Sequence, residues 1–305
     1  MKNKKNIVLA LIAVIIYVVI FSLAQFGVLS RHTQSLLVPI GVNIILAVSL
    51  NLTVGFLGEL TLGHAGFMSV GAYAGCLFTI YCNLPVWIEF PLALIIGGLV
   101  AAIFGVIIGI PALRLNGDYL AIVTLAFGEI IRSVLNNVKF TGGAGGLKGI
   151  DKTSNFTIAY ILVILTLIVI TNVVRSRHGR AIMAIRDNII AAQSVGINIV
   201  YYKLVAFVGA AFFAGVAGVL YGHNLGILKP STFDFNKSIE ILVIVVLGGM
   251  GNITGSVIAA IIITLLPEVL RDLADYRMLI YSIALIVMML FSSNPTLVEF
   301  RKKIF

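Results

Sequence analysis

The 305-residue chain is 60% hydrophobic and 11% charged, with a mean hydropathy of +1.11. Soluble domains carry about 25% charged residues, and a single core stops growing near ~250–300 residues, so a soluble enzyme is excluded, as is a disordered chain. The net charge of +9 lies between apolar runs, where it orients a chain in a bilayer and does not call for nucleic acid.

The apolar runs are long and continuous, not short alternating segments, so the expected fold is an all-α integral membrane protein, not a barrel. Ten candidate transmembrane segments follow one another at 7–29, 36–56, 57–81, 91–113, 119–135, 156–174, 204–222, 239–251, 254–270 and 277–291. The third, fifth, eighth and ninth are short or interrupted by glycine and polar residues, and the eighth and ninth also read as one re-entrant element. With both ends on the cytoplasmic side, twelve basic residues fall in inner segments and eight in outer ones, the bias that basic residues show toward the cytoplasm. The first segment has the Lys-rich start of a signal peptide and a Ser22-Leu23-Ala24 cleavage candidate. Its apolar run is long for a removed segment, so a retained helix is expected. Cys76 and Cys82 sit in or beside an apolar run without a CxxC pattern or a Cys/His cluster, and read as small buried side chains.

Two stretches look like broken helices. The first covers residues 58–67, with Gly63, His64, Ala65 and Gly66 at its centre, and continues through Gly71 and Gly75. The second covers 247–256, with Gly248, Gly249, Gly251 and Asn252. Interrupted helices at matching places in two halves point to an internal inverted repeat around a translocation site. The same glycines, as Gly71-xxx-Gly75 and Gly251-xxx-Gly255, also suit close helix packing, and both readings can hold. His64 is the one histidine within an expected segment. It either lines a pathway or bonds a freed carbonyl beside Gly63.

Glu129 and Arg132, three residues apart, can face each other on one helix side, either as a polar element of a path or as an interfacial ion pair. Glu240 reads as interfacial. Thr141, Gly142 and Gly143 open a glycine-rich stretch that is either a backbone anion cradle or an outer turn. No Gly-Lys-Ser/Thr follows it, so it is not a nucleotide-binding loop. No Walker A, HExxH or GxSxG pattern occurs, and no metal-ligand cluster is visible, so no ATP hydrolysis or covalent catalysis is expected of this chain.

The largest inner loop spans 175–203. Ala181, Ala184, Ile185, Ile189, Ala192 and Val195 recur at helical spacing, flanked by Arg180, Arg186 and Asp187. Gly196 can end such a helix. An amphipathic helix here either inserts into a groove of a soluble partner or lies on lipid headgroups.

The stretches GELTLGHAGFMSVGAYAG (58–75), GDYLAIVTLAFGEIIR (117–132), TGGAGGL (141–147), GRAIMAIRDNIIAAQSVGI (179–197) and VVLGGMGNITGSVIAA (245–260) together resemble the branched-chain amino acid ABC transporter permeases of the LivM type. The resemblance implies a single permease domain over 1–305 in the bacterial inner membrane. Its implied partners are a LivH-type permease, two cytosolic ATPase subunits that hold ATP and Mg, and an external solute-binding protein, with no cofactor on this chain. The loop 175–203 resembles the EAA-xxx-G coupling motif of importer permeases, with Ile190 where an acidic residue is usual. That implies coupling roles for Gly179, Arg180, Ala181, Arg186, Asp187, Ala191, Ala192 and Gly196. It also implies pathway roles for the two glycine-rich breaks and for the Glu129/Thr141 region. Permeases for urea and short-chain amides look very similar. An ion-coupled secondary transporter would need intramembrane ionisable groups, for which Glu129 is the main candidate.

Overall fold

The computed structural model describes residues 15, 17–19, 21–22, 31–82, 84–115, 117–269, 282–283 and 286. Segments 7–29 and 277–291, with the cleavage question, lie almost wholly outside these residues. Each of the eight expected segments between them overlaps a helix, although residues 58–63 of the third are non-helical. The helices are α1 (Arg31–Asn51, continued by a π-helical turn at Leu52–Leu57), α2 (His64–Tyr81), α3 (Val86–Ala112), α4 (Asp118–Asn137), α5 (Phe156–Arg175), α8 (Ile199–Leu225), α9 (Phe235–Gly248) and α10 (Ile253–Val269). Two short helices, α6 (Arg177–Asp187) and α7 (Ile189–Ser194), lie between α5 and α8. No strand occurs among the described residues, where a single bridge joins Leu147 to Leu228.

Four helices, Gln34–Leu57, Val86–Ala112, Phe156–Arg175 and Ile199–Leu225, are each long and apolar enough to cross a bilayer unaided. The chain is a multi-pass membrane protein. Helix α9, with 14 residues, rises only ~21 Å at 1.5 Å per residue, short of the ~30 Å hydrocarbon core. It turns back tightly into α10: a methyl on Gly248 would lie 2.6 Å from the Ser256 Cα. The two are separate helices.

Small residues set the central packing. On α3, Gly97, Ala101, Gly105 and Gly109 repeat every four residues and are buried, while Ile88, Ile95, Leu99, Ile103 and Ile107 on other faces are exposed. The buried ridge meets α8, where a methyl on Gly105 would reach the Ala211 Cβ at 2.9 Å. Helix α2 crosses α8 more closely still: a methyl on Gly71 would lie 2.2 Å from the Gly215 Cα, and one on Gly218 2.1 Å from the Met68 carbonyl oxygen. Lipid tails supply no hydrophobic drive between helices, so such backbone approach is what holds them. The packing reading therefore holds at Gly71 and Gly75. It does not hold at Gly251, which lies in a turn with φ +80°.

Antiparallel to α1 runs α10, and two matching rungs join them. Asn43 Nδ2 donates to Thr264 Oγ1 at 2.9 Å, and Asn51 Nδ2 donates to Ser256 Oγ at 2.9 Å. The helix ends sort onto two sides. The π-turn of α1, α6 and the 249–252 turn meet at one, here termed the loop end. At the other, Tyr81 stacks on Phe140 at 5.5 Å and Leu147 bridges Leu228. This sorting follows the alternation expected from sequence.

Candidate functional site

The first interruption forms because α1 runs on through the π-turn Leu52–Leu57 and stops at Gly58, whose φ of +80° reverses the chain. Residues 58–63 are non-helical and rise beside α1 until α2 begins at His64. Polar groups of this stretch and of the first turn of α2 are taken up by neighbours. His64 Nε2 pairs with Ser49 Oγ at 2.9 Å, Leu62 N donates to Thr124 Oγ1 at 3.0 Å, and Ala65 N donates to Ser238 Oγ at 3.2 Å. His64 is thus held by a hydroxyl of α1. Gly63 and Gly66 let α4 approach: a methyl on Gly66 would lie 2.9 Å from the Gly128 Cα.

Beside this approach lies a narrow crevice of about 10 Å³, bounded by Leu62, Gly66, Leu125, Gly128 and Glu129 on one side and Phe233, Asp234, Phe235 and Ser238 on the other. It lies at the N-terminal ends of α2 and α9. Each bordering carboxylate already has a partner. Arg132 Nε donates to Glu129 Oε2 at 2.8 Å, and Asp234 Oδ1 accepts from Lys237 N at 3.0 Å as the cap of α9.

The second interruption is elsewhere. Gly249 and Gly251 adopt positive φ, Asn252 caps α10 by accepting from Gly255 N at 3.1 Å, and Gly251 N donates to Asn51 Oδ1 at 2.8 Å. It therefore abuts the π-turn of α1 at the loop end, not the crevice. The glycine-rich stretch 141–147 is a third place. Thr141 Oγ1 donates to the Leu135 or Val138 carbonyl, at 3.0 and 2.9 Å, Gly142 N bonds Lys139 O, and Leu147 N bonds Leu228 O at 2.8 Å. These bonds make a pinned turn that joins the segments following α4 and α8.

The inner loop is not one helix. Asn188 accepts from Ala191 N at 3.0 Å and caps α7, so helical phase is reset between α6 and α7. The expected stripe is corrected accordingly. Gly179, Ile182, Ile185 and Ala192 are buried, whereas Ile189, Val195 and, at 81% exposure, Ile190 face outward. Ile182 and Ile185 pack with Leu52, Phe56 and Leu57 of the π-turn. Arg180, Asp187, Ala191 and Gly196 are exposed and Ala181 half-buried. Lys203, at the end of the expected loop, lies in α8.

Three features escaped the sequence reading. Asn43 and Asn51 lie in an apolar run, eight residues apart, which places both on one helix face; that spacing was the available signal. Lys203 forms a buried ion pair with Glu59 across 144 positions. His223, one residue past the expected end of its segment, is buried inside α8 against Cys76, Thr79 and the Phe90 ring. So His64 is not the sole intramembrane histidine.

Residues 32–292 match the family described as the branched-chain amino acid transport system / permease component. The chain is 37% identical to the high-affinity branched-chain amino acid transport system permease protein LivM of Escherichia coli (strain K12), over 90% of this chain and 72% of that protein. It is 26% identical to the corresponding LivH of Salmonella typhimurium, over 72% of this chain and 78% of that protein. Its identity to the ribose import permease protein RbsC of Haemophilus influenzae is 27%, over 93% and 91%. No solved structure matches the chain significantly. With a family match over most of its length and a LivM relative aligned along nine-tenths of it, the chain belongs to the branched-chain amino acid transport permease family.

Proposed function

We propose that this chain is one permease subunit of an ATP-driven importer of leucine, isoleucine and valine in the bacterial inner membrane. It pairs there with a LivH-type permease, two cytosolic ATPase subunits and an external binding protein. The loop end faces the cytosol. Solute passes beside the crevice between α2, α4 and α9, where Leu62, Leu125, Phe233 and Phe235 offer an apolar wall to a branched side chain and Ser238 and Glu129 a polar rim. The chain hydrolyses nothing; ATP and Mg reside on the ATPase subunits.

The observation that carries this reading is the seating of the inner loop. One apolar face, Ile182 and Ile185, is buried on the permease, while a second, Ile190 and Val195, is left exposed at the tip. A helix lying on headgroups needs a single apolar face. A connector between two proteins needs two.

The test is uptake of labelled leucine by vesicles holding all five components. Uptake that requires ATP and competes with isoleucine and valine, but not with urea or ribose, supports the proposal. Uptake that persists with an ATPase-dead partner overturns the coupling, and preferential competition by urea or ribose overturns the cargo.

A further inference from the structure

We infer that the π-helical turn Leu52–Leu57 is the transmission element of this permease, gripped from the inner loop by Arg186 and from α8 by Lys203, and tied by Asn51 to the 249–252 turn. The inference rests on the importer reading, because it supposes that force enters through the loop.

Arg186 ends α6 with its aliphatic stem against Gly58, where a methyl would come within 2.7 Å of the Arg186 Cγ. Its Nη1 donates to the Gly55 carbonyl at 3.2 Å. That carbonyl lies in the last turn of a helix, where oxygens have no amide ahead of them and take outside donors. The rest of the guanidinium is aimed by Asp187, whose Oδ1 accepts from Nε at 3.1 Å and Nη2 at 2.9 Å. On the other flank Glu59, one residue past Gly58, pairs with Lys203, and both side chains are buried. The segment 55–59 is thus held by two cations on separate helices, while its apolar side chains pack on Ile182 and Ile185.

The link onward is Asn51, fully buried, with both ends of its amide engaged. Its Oδ1 accepts from Gly251 N at 2.8 Å, and its Nδ2 donates to Ser256 Oγ at 2.9 Å. Gly55 makes room for this: a methyl there would lie 1.8 Å from Asn51 Oδ1 and 2.2 Å from Gly251 N. A π-turn fits the role. It replaces the i→i+4 ladder by i→i+5 bonds over a single turn, so the helix can change register there without unwinding, and such turns recur at functional sites. Movement of α6 then displaces Gly55, and with it Asn51 and the 249–252 turn, while Gly58 and Glu59 carry the displacement into the segment that leads to α2 and the crevice. The two interrupted segments respond as one unit to one input.

The experiment compares leucine uptake with ATP hydrolysis in the same vesicles containing the complete complex. For Arg186→Ala and Ser256→Ala, uptake per ATP hydrolysed falls tenfold or more while hydrolysis stays within threefold of wild type. Arg186→Lys, which can still donate to Gly55, recovers at least half of the uptake. A merely structural role lowers uptake and hydrolysis in step with the amount of assembled complex, and that result overturns the inference, as does unchanged uptake. The wild-type complex gives a second readout that does not depend on variants folding. Trapping the ATPase subunits with a non-hydrolysed ATP analogue changes amide hydrogen exchange at 52–59 and 249–252 together. A change at 52–59 alone overturns the inference. A wild-type complex that moves no leucine on ATP addition overturns the importer reading itself.

Discussion

Where α2, α3 and α8 meet, the contact is made by absent side chains: Gly71, Gly97, Gly215 and Gly218 bring backbones together, and a methyl at any of them would lie 2.1 to 2.7 Å from its neighbour. Where α1 meets α9 and α10, the contact is made by polar side chains: Asn43 with Thr264, Asn51 with Ser256, and Lys237 with Asn43. The first kind of interface has one low-energy arrangement, because close-packed backbones cannot slide without clashing. The second consists of discrete bonds whose donors and acceptors can be exchanged. The glycine block therefore acts as the fixed frame and the asparagine-linked helices as the part able to rearrange. The inner loop rests on the second part through the π-turn.

The sharpest way to break this contrast is at the buried ion pair, which anchors the interrupted segment to the frame helix α8. Lys203→Met leaves Glu59 as an uncompensated buried carboxylate, a change that costs about 3–5 kcal/mol. Thermal unfolding of the detergent-solubilised protein should show a large fall in Tm. The double variant Glu59→Gln with Lys203→Met removes both charges and should regain most of the loss. Equal destabilisation by the single and double variants would mean that the pair is not what holds residue 59.

Within the frame, Gly218→Ala places a methyl 2.1 Å from the Met68 oxygen, and overpacking of this kind costs about 1–3 kcal/mol. On the rearrangeable side, Thr264→Ala removes one hydrogen bond from Asn43, and such bonds average about 0.6 kcal/mol in membrane proteins. Measured side by side by the same unfolding assay, the glycine variant should be the worse one. The reverse order would mean that the asparagine rungs, not the glycines, form the rigid frame.

What the sequence made legible follows from what each feature needs. Helix positions need only local hydropathy, so a helix falls within each of the eight described segments, although the third begins seven residues late, at His64. The two interruptions announce themselves through clustered glycine and polar residues. The asparagine rungs and the Glu59–Lys203 pair join residues 144 to 221 positions apart, and nothing local marks such partners. The loop misled for a different reason. An apolar period continuing across Asn188 looks like one helix, but an Asn side chain that caps Ala191 N resets the phase, so Ile189 and Val195 turn outward. The pathway residues were grouped by composition, and composition cannot tell a glycine that lines a crevice, as Gly66 does, from one that turns a chain, as Gly251 does.

The smallest expected effect separates those two uses of glycine in the outer stretch. At Gly145 nothing lies within 4 Å of where a methyl would go, and its φ is not among the positive ones. Gly145→Ala should leave Tm within the ~0.5 kcal/mol scatter of surface substitutions. The next residue differs in both respects: Gly146 has φ +81°, and a methyl would meet the Leu228 oxygen at 2.6 Å. Gly146→Ala should therefore weaken the Leu147–Leu228 bridge, by about 1–2 kcal/mol for the left-handed backbone alone. If both variants are silent, the stretch is a loose turn and its bridge to 228 holds nothing together. If only the second is destabilised, the glycines are there to pin the C-terminal end of α4 beside α8, which ties the helix that borders the crevice to the fixed frame.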